Sequence, residues 1–239
     1  MFSLITWMNE QSFCPTPWGM LVNSSYLVRH ELAKGLQRWS HEMRGVMLDF
    51  GCGTTPYRAL FQVEQYLGLE IVAEGHPLRN KNATLSYSGR GIPLEDGTVD
   101  CVLMTEVLEH VFNPEQVLKE LHRVLKVGGT VLITCPFVWP LHEEPYDYAR
   151  YTPFALRHLS EAAGFEVVVQ EKLGTWLLVL AQMLLAYLMQ TATPSGYRAN
   201  RLVKAFWCVC VNPVAVLLSR LLPVSDRLYL SNFLVVRKK

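Results

Sequence analysis

The chain has 239 residues, enough for one α/β domain with an added insertion or a small second lobe. Its formal net charge is +1, so no global field recruits nucleic acid, and a DNA- or RNA-binding surface would have to be local. The six cysteines form no Cys-x-x-Cys pair, and no basic flank precedes an apolar core at the N-terminus. We therefore expect a reduced, cytosolic protein without a secretory signal.

The N-terminal segment, residues 1–45, is predicted to hold a cover and a helix. Residues 1–22 are aromatic and interrupted by proline, and we expect them to wrap the domain or cover a site. From Tyr26 to Gln37, apolar residues recur at helical spacing, and Ser24 or Ser25 can cap this helix.

A short strand followed by a glycine loop organises the chain. The apolar run Val46–Leu48 ends at Asp49, and Gly51 and Gly53 then permit a tight turn that a ligand can approach, because glycine has no Cβ. A dinucleotide-binding loop would need a third glycine where this chain has Pro56. The loop is therefore incomplete for a dinucleotide.

The stretch from Asp49 to Gly53 resembles the first motif of the class I S-adenosylmethionine-dependent methyltransferases, Asp-x-Gly-x-Gly. The resemblance continues over residues 45–170 and implies S-adenosyl-L-methionine as the cofactor. It implies that the loop of Gly51, Cys52 and Gly53 passes under the amino-acid end of the cofactor. It also implies that Asp49 acts on the cofactor's ammonium group, directly or through water.

Glu70 lies near the end of the next predicted strand, Gln65–Ile71. A carboxylate at this place can accept hydrogen bonds from both ribose hydroxyls of a nucleoside, in dinucleotide and S-adenosylmethionine folds alike. A third strand is predicted at Thr84–Tyr87. Ser88 follows it where members of the resembled family carry an aspartate for the adenine amino group, and its hydroxyl can still accept a hydrogen bond.

The stretch from Ile92 to Val111 closely resembles the family's next segment. It is predicted to contain the fourth strand, Asp100–Met104. The resemblance assigns Thr105 and Glu106, at the carboxyl end of this strand, to the cofactor site. It places the loop Glu106–Val111 beside the cofactor's sulfonium.

Alternating strands and helices predict a doubly wound, mostly parallel, seven-stranded sheet with its ligand at the carboxyl ends of the strands. The later elements are a helix from Asn113 to Gly128-Gly129, a strand at Thr130–Cys135, a helix from Thr152 to Gly164, a strand at Phe165–Gln170 and a last strand at Asn232–Val236. The predicted core spans residues 46–172, and residues 232–239 return to it as the final strand.

The connection at residues 136–152 mixes aromatic and titratable side chains, and we expect it to form a wall of the acceptor site. His142 is the first candidate for a general base there, and His110 is the second. Glu106 and Glu109 would instead orient the loop or the acceptor.

The same connection contains possible metal ligands. His142 with Glu143, Glu144 or Asp147 could bind a metal, but no helical pairing of these residues is assured, so no metal site is predicted. The sequence from His142 to Thr152 resembles that of bacterial family members associated with polysaccharide and cell-surface glycan synthesis.

Residues 173–231 are predicted to form an apolar helical insertion before the last strand. Polar residues interrupt its two runs, Gly174–Gln190 and Leu202–Leu222, so neither is expected to reach the length of an uninterrupted spanning helix. The helices would contact a membrane surface or a second copy through residues 173–223, or form a lid. The leading interpretation is a cytoplasmic protein, peripheral on the inner face of the membrane, with Arg237-Lys238-Lys239 adding weak attraction to anionic lipid.

The leading functional hypothesis is methyl transfer to a small-molecule, sugar or lipid-linked acceptor at a hydroxyl, with N- or C-methylation left open. One alternative is a non-catalytic S-adenosylmethionine-binding module in a membrane-associated assembly, and another is a dinucleotide-dependent oxidoreductase. An RNA methyltransferase is disfavoured because the sequence has no evident basic stripe with interleaved aromatics.

Overall fold

A computed structural model describes residue 7 and residues 11–71, 83–89, 91–191 and 197–239, the side chains of residues 197–201 excepted. The chain divides into two compact units. One unit comprises Leu36–Phe137, Leu141–Glu171 and Asn232–Lys239, and the other comprises Met1–Gly35, Val138–Pro140 and Lys172–Ser231. The division into four segments made from the sequence stays a prediction.

Seven strands form a single sheet in the order β3-β2-β1-β4-β5-β7-β6. The strands are β1 Val46–Phe50, β2 Gln65–Ile71, β3 Leu85–Tyr87, β4 Val99–Thr105, β5 Leu125–Pro136, β6 Phe165–Leu173 and β7 Ser231–Lys238. The pairs β1–β2, β1–β4, β2–β3 and β4–β5 are parallel. The predicted doubly wound, mostly parallel fold is confirmed.

The centre of the sheet explains the apolar character of β1. Leu48 pairs with Leu67 on one side and with Val102 on the other, so its strand has a parallel neighbour at both edges. Met47 and Leu48 are fully buried, as expected for a strand covered on both faces. Asp49 is the single charged residue of this strand, and it lies where the strand ends.

Five α-helices have both of their ends within the described residues. They are α1 Tyr26–Trp39, α2 Pro114–Val124, α3 Pro153–Ala162, α4 Trp176–Thr191 and α5 Tyr197–Leu221. The Thr152 hydroxyl accepts a hydrogen bond of 3.2 Å from the Ala155 amide, so the predicted cap of α3 is formed. Asn113, predicted to cap α2, makes no side-chain capping hydrogen bond.

The predicted end of α2 is also wrong. The helix ends at Val124 because β5 already begins at Leu125, whose partner on β4 is Val99. The pairing then shifts, and Gly128-Gly129 lie in the irregular stretch that follows. A Cβ on Gly129 would lie 2.8 Å from the Asp100 carbonyl oxygen, so glycine serves a close approach of two strands here and does not stop a helix.

The second unit contains α4 and α5. Asn212 is buried in α5, and its amide donates hydrogen bonds to the carbonyl oxygens of Met20 (2.8 Å) and Asn23 (3.1 Å). Helix α5 continues through Asn212-Pro213, and Leu202–Leu221 is long and apolar enough to cross a membrane by length and composition. The expectation that polar residues break this run below spanning length is therefore wrong.

Candidate active site

A cavity of about 320 Å³ lies where β1, β2, β3 and β4 end. Five residues predicted to contact the cofactor line it, namely Gly51, Gly53, Glu70, Ser88 and Glu106. Aromatic and titratable residues that follow β4 and β5 complete the wall, among them His110, Phe112, Glu143, Tyr146 and Tyr148. The topology thus brings the predicted cofactor residues and part of the predicted acceptor wall to one cavity, as expected for the carboxyl ends of parallel strands.

The glycine loop after β1 is crowded on one side and open on the other. Gly51 has φ +73°, and a Cβ there would lie 2.6 Å from a methyl carbon of Val107. Its amide and that of Cys52 donate to the Leu69 carbonyl oxygen at 2.8 and 3.0 Å, which holds the loop against β2. Gly53 has φ +48° and would present its Cβ to open space, where a ligand can approach the backbone.

Asp49 lies beneath this loop and is 4% exposed. The Tyr66 hydroxyl donates a hydrogen bond to Asp49 Oδ2, and the Arg58 guanidinium lies 4.6 Å from the centre of the Tyr66 ring. Burial raises the pKa of Asp49 to about 7, since the hydrogen bond from Tyr66 only partly offsets the loss of solvation. Within the described part of the chain, Asp49, Cys52 and Thr105 are not among the residues that line the cavity, so their cofactor roles stay predictions.

Glu106 adopts an unusual backbone conformation at the cavity wall. Its φ is +53°, which few residues other than glycine adopt, and its amide donates to the Thr134 carbonyl oxygen at 3.0 Å. Outliers of this kind concentrate at functional sites, because the surrounding structure must hold them in place.

The two candidate bases lie side by side. The rings of His110 and His142 are 4.7 Å apart between centroids and meet edge to face. Nδ1 of His110 lies 2.9 Å from the Tyr146 carbonyl oxygen, and Nδ1 of His142 lies 3.1 Å from Asp147 Oδ2. His110 lines the cavity, whereas His142 is not among the described residues that line it. Burial and the neighbouring His110 lower the pKa of His142.

Arg150 fixes the carboxylate behind His142. Its Nη2 donates to Asp147 Oδ2 at 2.7 Å, and these hydrogen bonds hold the pKa of Asp147 well below its usual range. The sequence placed both residues in the acceptor wall without indicating that they orient the histidine. Their i, i+3 spacing is the signal that could have found the pair.

Glu109 is the residue that the sequence reasoning undervalued. It is 0% exposed, and its Oε1 atom has no hydrogen-bond partner. Burial, with a smaller contribution from Glu106, raises the pKa of Glu109 well above its ordinary value. Glu109 belongs to the short helical turn Leu108–His110, and its Oε1 atom lies 3.7 Å from Nε2 of His110 and 3.9 Å from Nε2 of His142.

Part of the chain is similar in sequence to known methyltransferases. Residues 48–133 match the methyltransferase domain family. A probable S-adenosylmethionine-dependent methyltransferase of Mycolicibacterium smegmatis is 28% identical over 173 residues, which cover 66% of this chain and 65% of that protein.

Two solved structures share the fold. An S-adenosylmethionine-dependent methyltransferase from Mesorhizobium loti superposes with a TM-score of 0.55 at 13% identity, covering 89% of this chain and all of that one. A phosphoethanolamine N-methyltransferase 2 of Haemonchus contortus, in complex with S-adenosyl-L-methionine, gives a TM-score of 0.54 at 17% identity and covers 100% of this chain and 60% of that one.

Residues 48–133 thus match a methyltransferase domain, and the chain has the Rossmann-like fold of solved S-adenosylmethionine-dependent methyltransferases. The predicted enzyme class and cofactor are thereby supported. The aligned segments span only 29% to 65% of the length of the first curated relatives.

Proposed function

We propose that the protein transfers the methyl group of S-adenosyl-L-methionine to a hydroxyl of a sugar or lipid-linked acceptor bound beside His110. The observation that carries this proposal is one continuous cavity. It is lined at the glycine loop by Gly51 and Gly53 and at the other wall by His110 and Tyr146. Cofactor and acceptor can therefore meet without crossing bulk solvent.

The cofactor part of the proposal rests on the strand ends. The open face of Gly53 can receive the amino-acid end of the cofactor, and the Glu70 carboxylate can accept from its ribose hydroxyls. Ser88 lies beyond Glu70, after β3, where the adenine would follow. Its neutral hydroxyl would give the adenine a weaker contact than a carboxylate.

The acceptor part rests on the wall formed after β4 and β5. Phe112 and Tyr148 meet edge to face, 5.4 Å between ring centroids, and their exposed rings border the cavity. Such a pair can pack against the apolar face of a sugar or an alkyl chain, while Glu143 and Tyr146 offer hydrogen-bonding groups.

Proton removal falls to the histidine pair. The Tyr146 carbonyl can only accept, so Nδ1 of His110 carries a proton and Nε2 keeps a lone pair that can take the proton of an acceptor hydroxyl. His142, the first candidate from the sequence, contacts the ring of His110 and would pass the proton on or orient that ring. The sulfonium methyl is already activated, so alignment and exclusion of water are the other requirements.

The test is formation of S-adenosylhomocysteine from S-adenosylmethionine with the purified full chain. A panel of nucleotide-linked and lipid-linked sugars would be compared with matched deoxy sugars that lack one hydroxyl each. We expect turnover with one acceptor class and its loss with a single deoxy analogue. Methylation of an amine or thiol panel with no sugar product would refute the hydroxyl assignment, and cofactor binding with no turnover on any panel would favour the non-catalytic alternative.

We further propose that α4 and α5 bring this enzyme to a lipid bilayer. The large apolar side chains exposed on these helices include Trp176, Leu180, Leu184, Tyr187, Leu202, Phe206, Val209, Leu217 and Leu221. Buried Cys208, Asn212 and Ala215 recur along α5 at helical spacing, so one side of this helix packs on protein and its apolar exposed side needs another partner. The helix carries four cationic residues and no acidic one, which suits an anionic lipid surface.

Flotation with vesicles tests the membrane proposal. The full chain should rise with anionic phosphatidylglycerol vesicles, and a Leu180→Gln/Leu184→Gln variant should remain at the bottom. Val127→Gln, which changes an exposed apolar residue of the other unit, is the matched control and should still float. The wild-type chain could instead fail to float and form a dimer in solution that the double variant dissociates. That result would show that α4 and α5 contact a second copy of the chain and not a membrane.

A further inference from the structure

Three potential metal ligands converge at the acceptor end of the cavity. The candidate ligand atoms of Glu109, His110 and His142 all lie within 4.8 Å of one another. Oε1 of Glu109 is 3.7 Å from Nε2 of His110 and 3.9 Å from Nε2 of His142. Three ligands that share one tetrahedral metal ion at ordinary bond lengths are about 3.3 Å apart. Small side-chain rotations would therefore close the set around an ion.

Both imidazole rings have a hydrogen-bond acceptor at Nδ1. This leaves Nε2 of each ring, the atom near Glu109, unprotonated and able to bind a metal. The Tyr146 carbonyl oxygen, 2.9 Å from Nδ1 of His110, can only accept, so this nitrogen is protonated and Nε2 is not. Asp147, held as a carboxylate by Arg150, lies 3.1 Å from Nδ1 of His142 and is nearer to it than Arg150 Nη2 at 3.5 Å, so a hydrogen bond from Nδ1 to Asp147 gives the same tautomer there. A carbonyl or a carboxylate behind a histidine is the usual second contact of a metal-bound imidazole.

Glu109 supplies the independent observation. It is fully buried, and Oε1 has no hydrogen-bond partner although Nε2 of His110 and Nε2 of His142 lie 3.7 and 3.9 Å from it. Three acceptors that meet without a donor repel one another unless a cation or a proton lies between them. One carboxyl proton on Glu109 would satisfy only one of the two nitrogens, whereas one cation would bind all three atoms.

We propose that Glu109, His110 and His142 form a binding site for a divalent transition-metal ion, with Zn²⁺ as the ion that suits two neutral imidazoles and one carboxylate. His110 and Glu143 line the cavity, so a position left open on the ion would face it.

The ion would deepen the proposed function, and this part of the inference rests on that proposal. An acceptor hydroxyl bound at the open position would have its pKa lowered by the metal charge. In that case the two histidines would hold the ion in place of acting as bases, and the proton of the hydroxyl would pass to solvent in the cavity. Metal binding itself needs neither the cofactor nor turnover, so it can be tested separately.

The experiment measures metal content and Co²⁺ binding on the purified full chain. After metal removal and reloading, we expect one Zn²⁺ per chain and, with Co²⁺, the intense visible absorption of a low-coordinate site with nitrogen ligands. Glu109→Gln, His110→Gln and His142→Gln should each weaken Zn²⁺ binding by at least tenfold. His158→Gln, which changes an exposed histidine of α3, is the matched control and should bind as the wild type does.

A second variant keeps the test valid if the ligand variants fold poorly. Asp147→Asn leaves all three ligands in place, and its loss of the outer carboxylate should cost roughly 10- to 100-fold in metal affinity. A folded wild-type chain that binds Zn²⁺ and Co²⁺ no better than Glu109→Gln would overturn the inference. Calorimetry with S-adenosylhomocysteine on the metal-free chain separates the two proposals. If the chain binds this ligand but no metal, the metal site is refuted and the proposed cofactor site stands.

Discussion

The Tyr66 hydroxyl donates a hydrogen bond to Asp49 Oδ2 at the point where β1 enters the glycine loop. Burial keeps this carboxyl partly protonated near neutral pH, because its pKa is raised to about 7. The proposed partner of Asp49, the cofactor's ammonium group, favours the ionised form.

Cofactor binding should therefore release protons. At a pH near 7 the free protein holds Asp49 partly protonated, and the bound ammonium drives it to the carboxylate, so affinity should rise as the pH increases through this range. Calorimetry in two buffers with different ionisation enthalpies should give different apparent binding enthalpies. Asp49→Asn should bind more weakly and lose the buffer dependence, and equal enthalpies for the wild type would contradict the assigned role.

The same pKa shift has a consequence for stability. The folded-state pKa of about 7 lies above the ordinary aspartate pKa of 3.8, so the folded chain binds more protons in this window and loses stability as the pH rises through it. Replacing Asp49 by Asn removes the buried charge and should raise the melting temperature above pH 7 relative to the wild type, with little gain near pH 4. Thermal unfolding across this range measures the difference, and a gain that does not change with pH would contradict the titration.

Gly51 and Gly53 make a matched pair for testing the loop. Both have positive φ, so alanine costs about 1 kcal/mol of backbone strain at either position. At Gly51 the added Cβ also meets Val107 at 2.6 Å, so Gly51→Ala should lose more unfolding free energy than Gly53→Ala.

For cofactor binding, the two glycine variants should rank in the opposite order, with the larger loss in Gly53→Ala. Gly53→Ala should stay folded yet weaken S-adenosylhomocysteine binding by at least tenfold, because its Cβ points into the space that the cofactor would take. Wild-type affinity in Gly53→Ala would place the cofactor elsewhere.

His110→Gln tests the chemical step. Loss of a positioned base lowers kcat by about 10²–10⁴-fold, and cofactor affinity should change little because His110 lies on the acceptor wall. Single-turnover kinetics with the acceptor found by the sugar panel give the first quantity, and calorimetry gives the second. His158→Gln is the control for loss of an imidazole in general. Unchanged kcat in His110→Gln would remove this residue from the mechanism.

Asp100 should stabilise the centre of the sheet. Its Oδ2 accepts from the Val46 amide at 2.8 Å, and its Oδ1 accepts from Lys126 Nζ at 2.7 Å. These hydrogen bonds lower the pKa of Asp100, so the stability that it contributes is present above the ordinary aspartate pKa and is lost as the pH falls through the lowered value.

Asp100→Ala should cost about 1–2 kcal/mol of unfolding free energy at pH 7, because the amide of Val46, the first residue of β1, loses its hydrogen-bond acceptor. Denaturant unfolding at pH 7 and at acid pH checks the sign. Lys126→Ala, which removes only the charged partner of an exposed pair, is the control and should cost less. An equal cost for both variants would assign the effect to the ion pair alone.

The sequence predicted β1 and β2 well, since each carries an acidic residue next to its last residue that the site explains. Asp49 and Glu70 close apolar runs, and the structure has β1 and β2 where these runs lie. Local signals failed where tertiary pairing decided the outcome. Gly128-Gly129 has the form of a helix stop, yet the shift in register between β4 and β5 places it at a bulge.

The acceptor end of the site was only partly predictable. His110 and His142 were both found, but their contact depends on a turn after β4 and a connection after β5, which are 32 positions apart in sequence and 4.7 Å apart in space. The sequence assigned Glu109 only an orienting role, because burial of a carboxylate is a property of the packed structure. The sequence also treated Asn212-Pro213 as a break, whereas the Asn212 side chain finds its partners in the backbone near residue 20 and the helix continues.

The measurement that tests the central claim most directly is calorimetric titration of the purified full chain with S-adenosylhomocysteine, beside Asp49→Ala. The account predicts saturable binding at one site per chain in the micromolar range, weakened at least tenfold in the variant. A wild-type chain that is folded by circular dichroism and binds neither S-adenosylhomocysteine nor S-adenosylmethionine would contradict it.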